Sequence, residues 1–412
     1  MKKVFVVMAL VLVLALVSTA CGGGKSDVVK ITFMQSKTEI QSDLQTVVDD
    51  FNEKNEGIEV ELLGTSGDNY ATVLQSNFAA DPATAPTIFS MSGPDTVNFE
   101  KFMAPLDDTE AAKLLPDNLK DAVVIDDKLI GLPSAVEGYG LIYNADMLSD
   151  AGIDPASLNS IDALVSAFEK LATVEGVDAP LGFAKENYFI FIHFFNWGAA
   201  LDPDYSENLA KVGTGEQTLA DIPSIKQWAD DLDKIKEFTN KGLVSYDDQV
   251  AGFSAGKYAM IHQGVWAQQV IDQNEVEFDY GFIPYPTGGN DKLAVGTATA
   301  WSVNNEASEE QQKAAKTFLD WLITSDEGQK HSADLLNFIP AYTGVKAPAG
   351  NLTESVAEYA GSGKTVGWVY NTDFPSGMDV DGTTSIQKYY ADQIDSAGLL
   401  QELSDAWVKN YK

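Results

Sequence analysis

Apolar positions in the first part of the chain change period several times. Val28 to Phe33 is an apolar-rich run of strand length, and Ile40, Leu44, Val47, Val48 and Phe51 then recur at helical spacing. Asn55-Glu56-Gly57 stops that helix. Ile58 to Leu63 predicts a second strand, Tyr70 to Phe78 a second helix and Thr87 to Met91 a third strand. Strand alternating with helix predicts a parallel α/β sheet. Ligands of such sheets sit beyond the carboxyl ends of the strands. Those ends carry Gln35, Ser36, Lys37 and Glu39, then Thr65 to Asn69, then Ser90, Ser92 and Asp95. All are polar, as a polyhydroxylated ligand requires.

A second pattern organises the later half. In Phe253 to Trp266, FSAGKYAMIHQGVW, the apolar run Tyr258-Ala259-Met260-Ile261 lies between glycines and reads as a buried strand. Gly264 breaks the run and Trp266 follows. A strand ending in a glycine turn can set an indole at the mouth of a cleft, where its face can stack on a sugar ring.

Length adds that two lobes are expected, because 412 residues exceed what a single growing core organises. Charge narrows the ligand. The formal net charge is −34, and all 27 basic residues are lysines. Phosphate contacts need clustered Lys or Arg, so nucleic acid is excluded as a partner, and a phosphorylated ligand is disfavoured. A neutral or cationic ligand is easier to accommodate. Cys21 is the sole cysteine and cannot form an internal disulfide. Met1-Lys2-Lys3, the apolar Val4 to Val17 and Ser18-Thr19-Ala20-Cys21 resemble a bacterial lipoprotein signal, in which Cys21 is lipidated. Residues 1–20 are then the signal peptide and 21–27, with Gly22-Gly23-Gly24, a flexible tether.

Leu129 to Asn144, LIGLPSAVEGYGLIYN, leads into a helix ending at Ala151-Gly152-Ile153-Asp154-Pro155. Tyr143 to Pro155 resembles the YN-x-D-x-L-x-x-A-G-I-x-P signature of family 1 bacterial extracellular solute-binding proteins of ABC importers, in their carbohydrate-binding branch. Phe253, Gly256, Lys257, Ala259, Met260, Gly264 and Trp266 are similar to the FxxGKxAM and GxW elements of that family. So are Gly281 to Pro286, Trp301-Ser302-Val303 with the helix after Ser308, Phe338-Ile339-Pro340, and Leu399 to Trp407. The resemblance implies a two-lobed, periplasmic-binding-protein-like α/β fold. Each lobe holds a mainly parallel sheet flanked by helices, and three hinge crossings join them. The implied boundaries are 28–136 and 297–342 for the N-terminal lobe, and 137–296 and 343–412 for the C-terminal lobe.

The resemblance also implies a site. Glu137 matches a position that hydrogen-bonds sugar hydroxyls in several members. His193 to Ala200, HFFNWGAA, offers Trp197 as a second platform, with Asn196 beside it, and Phe374 and Asp379 lie where members place a ligand-facing loop. The full expected ligand set is Lys37, Glu39, Ser92, Asp95, Glu137, Tyr139, Asn196, Trp197, Trp266, Trp301, Phe374 and Asp379. The implied protein is a monomeric, non-enzymatic lipoprotein without metal or cofactor, anchored through Cys21 to the outer face of the cytoplasmic membrane. It hands an oligosaccharide to the membrane subunits of an importer, with a lean towards raffinose-type α-galactosides. A binder of another solute such as a polyamine, and a surface glycosidase with two carboxylates, are the alternatives.

Other motifs fail on context. Gly252-Phe253-Ser254-Ala255-Gly256 matches G-x-S-x-G, but its strand-like run comes after it rather than before. Gly363-Lys364-Thr365 lacks the first glycine of a P-loop, and Asp202 to Gly213 lacks the sixth-position glycine and closing glutamate of a calcium loop.

Overall fold

The computed structural model describes residues 28–412 apart from 65–68, 92, 117, 118, 121, 122, 298 and 346, and does not describe the side chains of 93–95. Cys21 with its tether, and Ser92, therefore lie outside the described residues. Among those described, no helix is long and apolar enough to cross a membrane.

Thirteen strands are described. In chain order they are β1 (Val29–Met34), β2 (Ile58–Leu63), β3 (Ile88–Met91), β4 (Val124–Ile125), β5 (Lys128–Leu129), β6 (Leu132–Pro133) and β7 (Val136–Asn144). There follow β8 (Ala179–Gly182), β9 (Tyr258–Gly264), β10 (Tyr280–Ile283), β11 (Leu293–Thr297), β12 (Ala300–Val303) and β13 (Thr365–Val366). One sheet has the order β2-β1-β3-β12-β6, and the other β13-β11-β7-β9-β8 with β10 also on β7. The β4–β5 hairpin stands apart.

The predicted first strands and helices form as the periodicity requires. Val29 pairs with Ile58 and Phe33 with Ile88, both in parallel. The helix Gln41–Lys54 buries Leu44, Val47, Val48 and Phe51, the stripe read from the sequence. Pairing is more mixed than the alternation of strands and helices predicts. β12 enters the first sheet antiparallel to both β3 and β6, and β7 is antiparallel to β9, β10 and β11. The cause is connectivity. These strands arrive directly from the other sheet, so no helical crossover turns the chain back to run parallel.

Each sheet has its own core. Phe33, Phe51, Trp301 and Phe318 pack in the first, and Phe168, Trp197, Trp228 and Trp407 in the second. The chain passes between the sheets from β6 into β7 and from β11 into β12. It passes a third time after Phe338, where Val136 N–H donates to the Ile339 carbonyl at 2.8 Å. The two lobes thus share three adjacent connections, the arrangement of a hinge.

Candidate functional site

A cavity of about 500 Å³ lies between the lobes. Its N-lobe wall begins where β1 ends. Gln35 folds back on its own loop, accepting from Lys37 N–H at 2.6 Å and donating to the Lys37 carbonyl at 2.8 Å. The loop is held so that Lys37 Nζ reaches Glu137 at 2.7 Å and Glu39 at 3.4 Å. Glu137 is the second residue of β7, so this ion pair spans the hinge. Burial pulls the Lys37 ammonium down, but Glu137 and Glu39 beside it push it up by more, and it stays charged. Burial pushes the Glu137 carboxyl up, and Lys37 pulls it part of the way back.

The C-lobe wall is aromatic. Trp266 follows the end of β9 and caps the helix Ala267–Gln273. Its ring lies 5.7 Å from Lys37 Nζ, 5.1 Å from the His193 ring and 6.0 Å from Phe189. Tyr188 and Phe189 come from a π-helical turn, Tyr188–Ile192, that runs into the helix His193–Ala200. Turns of this kind are frequent at functional sites. Trp368 and Tyr370 stack at 5.6 Å, and Phe189 lies 5.2 Å from Tyr246. Burial drives the His193 imidazole far down, with His262 and Lys37 adding to it, so the ring is neutral. Burial lifts the Tyr246 and Tyr370 phenols, so both keep their protons as donors.

Two glycines set the indoles in place. A Cβ on Gly264 would lie 2.2 Å from Trp266 Cη2, and one on Gly296 would lie 2.6 Å from Trp368 Cγ. Gly264 is in β9, facing Tyr139 of β7, and Gly296 is in β11, facing Glu137 of β7. Each indole therefore lies flat on a strand flanking the hinge strand, in space that any side chain would fill. Trp266 is also fixed by a buried relay. Its Nε1–H donates to Gln263 Oε1 at 2.8 Å, Gln263 Nε2 to Gln249 Oε1 at 2.7 Å, and Gln249 Nε2 to the Gly182 carbonyl at 2.7 Å.

Of the expected ligand residues, Lys37, Glu39, Glu137, Trp266 and Asp379 line this cavity. Asp379 accepts from Asn187 Nδ2 at 3.0 Å. Five others lie elsewhere. Trp197 is 0% exposed and donates its indole N–H to His262 Nε2 at 3.2 Å, so it presents no face to a ligand. Its helix is buried all round, and the side chain from that helix at the cavity is His193. Asn196 donates to the Gly367 carbonyl beneath the aromatic wall. Tyr139 is fully buried and stacks on His193 at 4.5 Å, supporting the wall from behind. Trp301 sits on β12, between two other strands, packed edge-on to Phe33 in the N-lobe core. Phe374 packs against Trp407 in the C-lobe core. Ser92 and the Asp95 side chain lie outside the described residues. Sequence reasoning missed Tyr188, Phe189, Tyr246, Trp368 and Tyr370.

The lobes also touch at Asn98, whose Nδ2 donates to Ser376 Oγ at 2.9 Å, and at Gln269, which donates to Asp43 at 2.5 Å. One group among the described residues has the spacing of metal ligands, Asp50, Glu327 and His331. Lys54 is ion-paired with both of its carboxylates, so an ammonium already answers their charge.

Residues 46–361 match the family of bacterial extracellular solute-binding proteins. The chain belongs to that family. It is similar to a maltooligosaccharide ABC transporter solute-binding lipoprotein of Streptococcus pneumoniae, 25% identical over 54% of this chain and 51% of that protein. An uncharacterised ABC transporter extracellular-binding protein of Pyrococcus horikoshii is 27% identical over 64% of this chain and 59% of its own length. The matches thus span between half and three fifths of these relatives. Among solved structures, RafE in complex with raffinose superposes with a TM-score of 0.79, at 18% identity over 93% of this chain and all of that one. A Bacillus licheniformis sugar transporter protein in complex with stachyose gives 0.76, at 20% identity over 92% of this chain and all of that one. A chitin oligosaccharide binding protein gives 0.79, at 21% identity over 94% of this chain and all of that one. At these identities the likeness establishes the two-lobed fold.

Proposed function

We propose that this protein is the substrate-binding component of a carbohydrate importer. It captures an oligosaccharide between its lobes and closes about the hinge, and the closed form docks on the importer's membrane subunits. The observation that carries this reading is the interlobe cavity itself, with the faces of Trp266, Trp368 and Tyr370 beside hydrogen-bonding groups. Aromatic faces take the apolar face of a sugar ring, and carboxylates, amides and hydroxyls take its hydroxyls. In this reading the hinge lies at 133–137, at 297–300 and after 338. Two of the superposing proteins hold raffinose and stachyose, which supports a raffinose-type α-galactoside as the first sugar to try. A lipid on Cys21 would keep the protein at the membrane, as a monomer beside its transporter. Mass spectrometry of the mature N-terminus tests the lipid.

Binding is tested by titrating the mature domain with raffinose, stachyose and maltooligosaccharides and following tryptophan fluorescence. Trp266→Ala should abolish the response while far-UV circular dichroism stays native. Unchanged affinity in that variant would remove Trp266 from the site. Appearance of cleaved sugar on incubation would instead favour the glycosidase.

A further inference from the structure

The cavity wall carries far more negative than positive charge. Among the described residues lining it, Glu39, Glu137, Glu186, Asp247 and Asp379 are acidic, and Lys37 is the one ammonium. Lys37 is already shared between Glu39 and Glu137. The other three acids come from separate elements of the C-lobe. Asp247 and Asp379 lie in the first turns of the helices Tyr246–Ser254 and Met378–Tyr390, where the helix dipole favours negative charge. Glu186 accepts the Tyr246 backbone N–H, the first of its helix, at 3.1 Å. The chain has no arginine to offset these groups. Aromatic faces that also attract cations, Trp266 above all, stand among the carboxylates.

Resting on the carbohydrate reading above, we infer that the cleft selects an oligosaccharide bearing positive charge, one with at least one protonated amino group on its sugar rings. Sugar hydroxyls both donate and accept, and amides and hydroxyls can meet them as well as carboxylates can. A net negative cavity lined with rings favours an ammonium over an uncharged group of the same size. At a few ångströms and the dielectric of a partly buried site, each such pair is worth far more than in bulk water.

The test is a set of tetrasaccharides titrated into the mature domain at low and at high salt, in buffer acidic enough to keep amines protonated. The probes are a β-1,4-linked glucosamine tetramer, its fully N-acetylated counterpart, stachyose, and spermidine as a cation without sugar. Expected is binding of the glucosamine tetramer about tenfold or more tighter than either uncharged tetramer, with the advantage shrinking as salt screens it. Asp379→Asn and Glu186→Gln, each checked for native circular dichroism, should narrow the gap between the glucosamine tetramer and its N-acetylated counterpart. Equal or tighter binding of an uncharged tetramer, or indifference to salt, overturns the inference and leaves the carbohydrate reading standing. Binding of spermidine with silence toward all three sugars overturns both readings in favour of a cation that is not a sugar, and silence toward all four probes overturns both as well.

Discussion

Gln263→Met examines whether the relay behind Trp266 prepares the site. Gln263 is 1% exposed, and Gln249 behind it is fully buried. Methionine keeps the length and removes both hydrogen bonds. Gln249 Oε1 then loses its donor in a place water does not reach, a cost of about 1–3 kcal/mol. Loss of the bond to Trp266 adds about 1 kcal/mol, so destabilisation of roughly 2–4 kcal/mol is expected. For a protein of this size thermal unfolding should fall by about 2–5 °C. Without its anchor the indole must be ordered on binding, at about 0.5–1.5 kcal/mol for one side chain, so affinity should weaken about 2–10-fold. Calorimetry measures the first effect and fluorescence titration the second. The discriminating assay is a cycle with Trp266→Phe, which has no N–H to hold. In that background Gln263→Met should leave affinity unchanged, because the relay then has nothing to position. Affinity losses that simply add would refute the reasoning and reduce Gln263 to a structural residue.

Lys37→Met leaves Glu137 buried without its partner, at a cost of about 3–5 kcal/mol. Glu137 already sits above its ordinary value, and losing Lys37 lifts it further. A raised carboxyl contributes stability that is present in acid and lost as pH rises through the folded value, so the variant's deficit should widen from about pH 4.5 to neutrality. Urea midpoints at the two ends check this, and a constant deficit would count against it. Gly296→Ala pushes a Cβ into Trp368 and should weaken binding with a stability loss of about 1–3 kcal/mol, read by titration and thermal melts. His262 is held down to about 3 from 6.5 by burial, so its stability is present above pH 6.5 and lost as pH falls through that window. His262→Gln, which keeps an acceptor for Trp197, should remove up to about 1.4 kcal/mol per pH unit of acid sensitivity, and an unchanged acid limb would refute this.

Local periodicity made the frame legible. The stripe of Gln41–Lys54 forms as read, and the strand read at Tyr258 to Ile261 forms but runs on through Gly264 before Trp266. Lys37, Glu39 and Glu137 were legible because strand ends and the hinge segment are continuous in sequence. The aromatic wall was not, because its rings come from 188–193, 246, 266 and 368–370 and meet only once the C-lobe packs. A weak signal existed in Gly367-Trp368-Val369-Tyr370, which sets rings beside a flexible residue. Trp197 misled for the opposite reason. In HFFNWGAA, apolar residues fall on every side, and such a helix is buried throughout. That pattern argued for core at Trp197, and the polar His193 at its start was the better guess for the cavity. Trp301 misled similarly, since β12 is an interior strand.

The position of β12 bears on how the molecule is made. It lies between β3 and β6, so the N-lobe sheet has a vacant central place until residue 300 has been synthesised. A nascent chain of some 290 residues can pair β1 with β2 and β3 but cannot join β6 to them, and it exposes unpaired backbone on both sides of the gap. The N-lobe therefore cannot complete itself first and wait for the rest, as an uninterrupted domain would. Both lobes acquire their final order late and nearly together, leaving a long interval in which the chain is pliable enough to be threaded elsewhere before it sets.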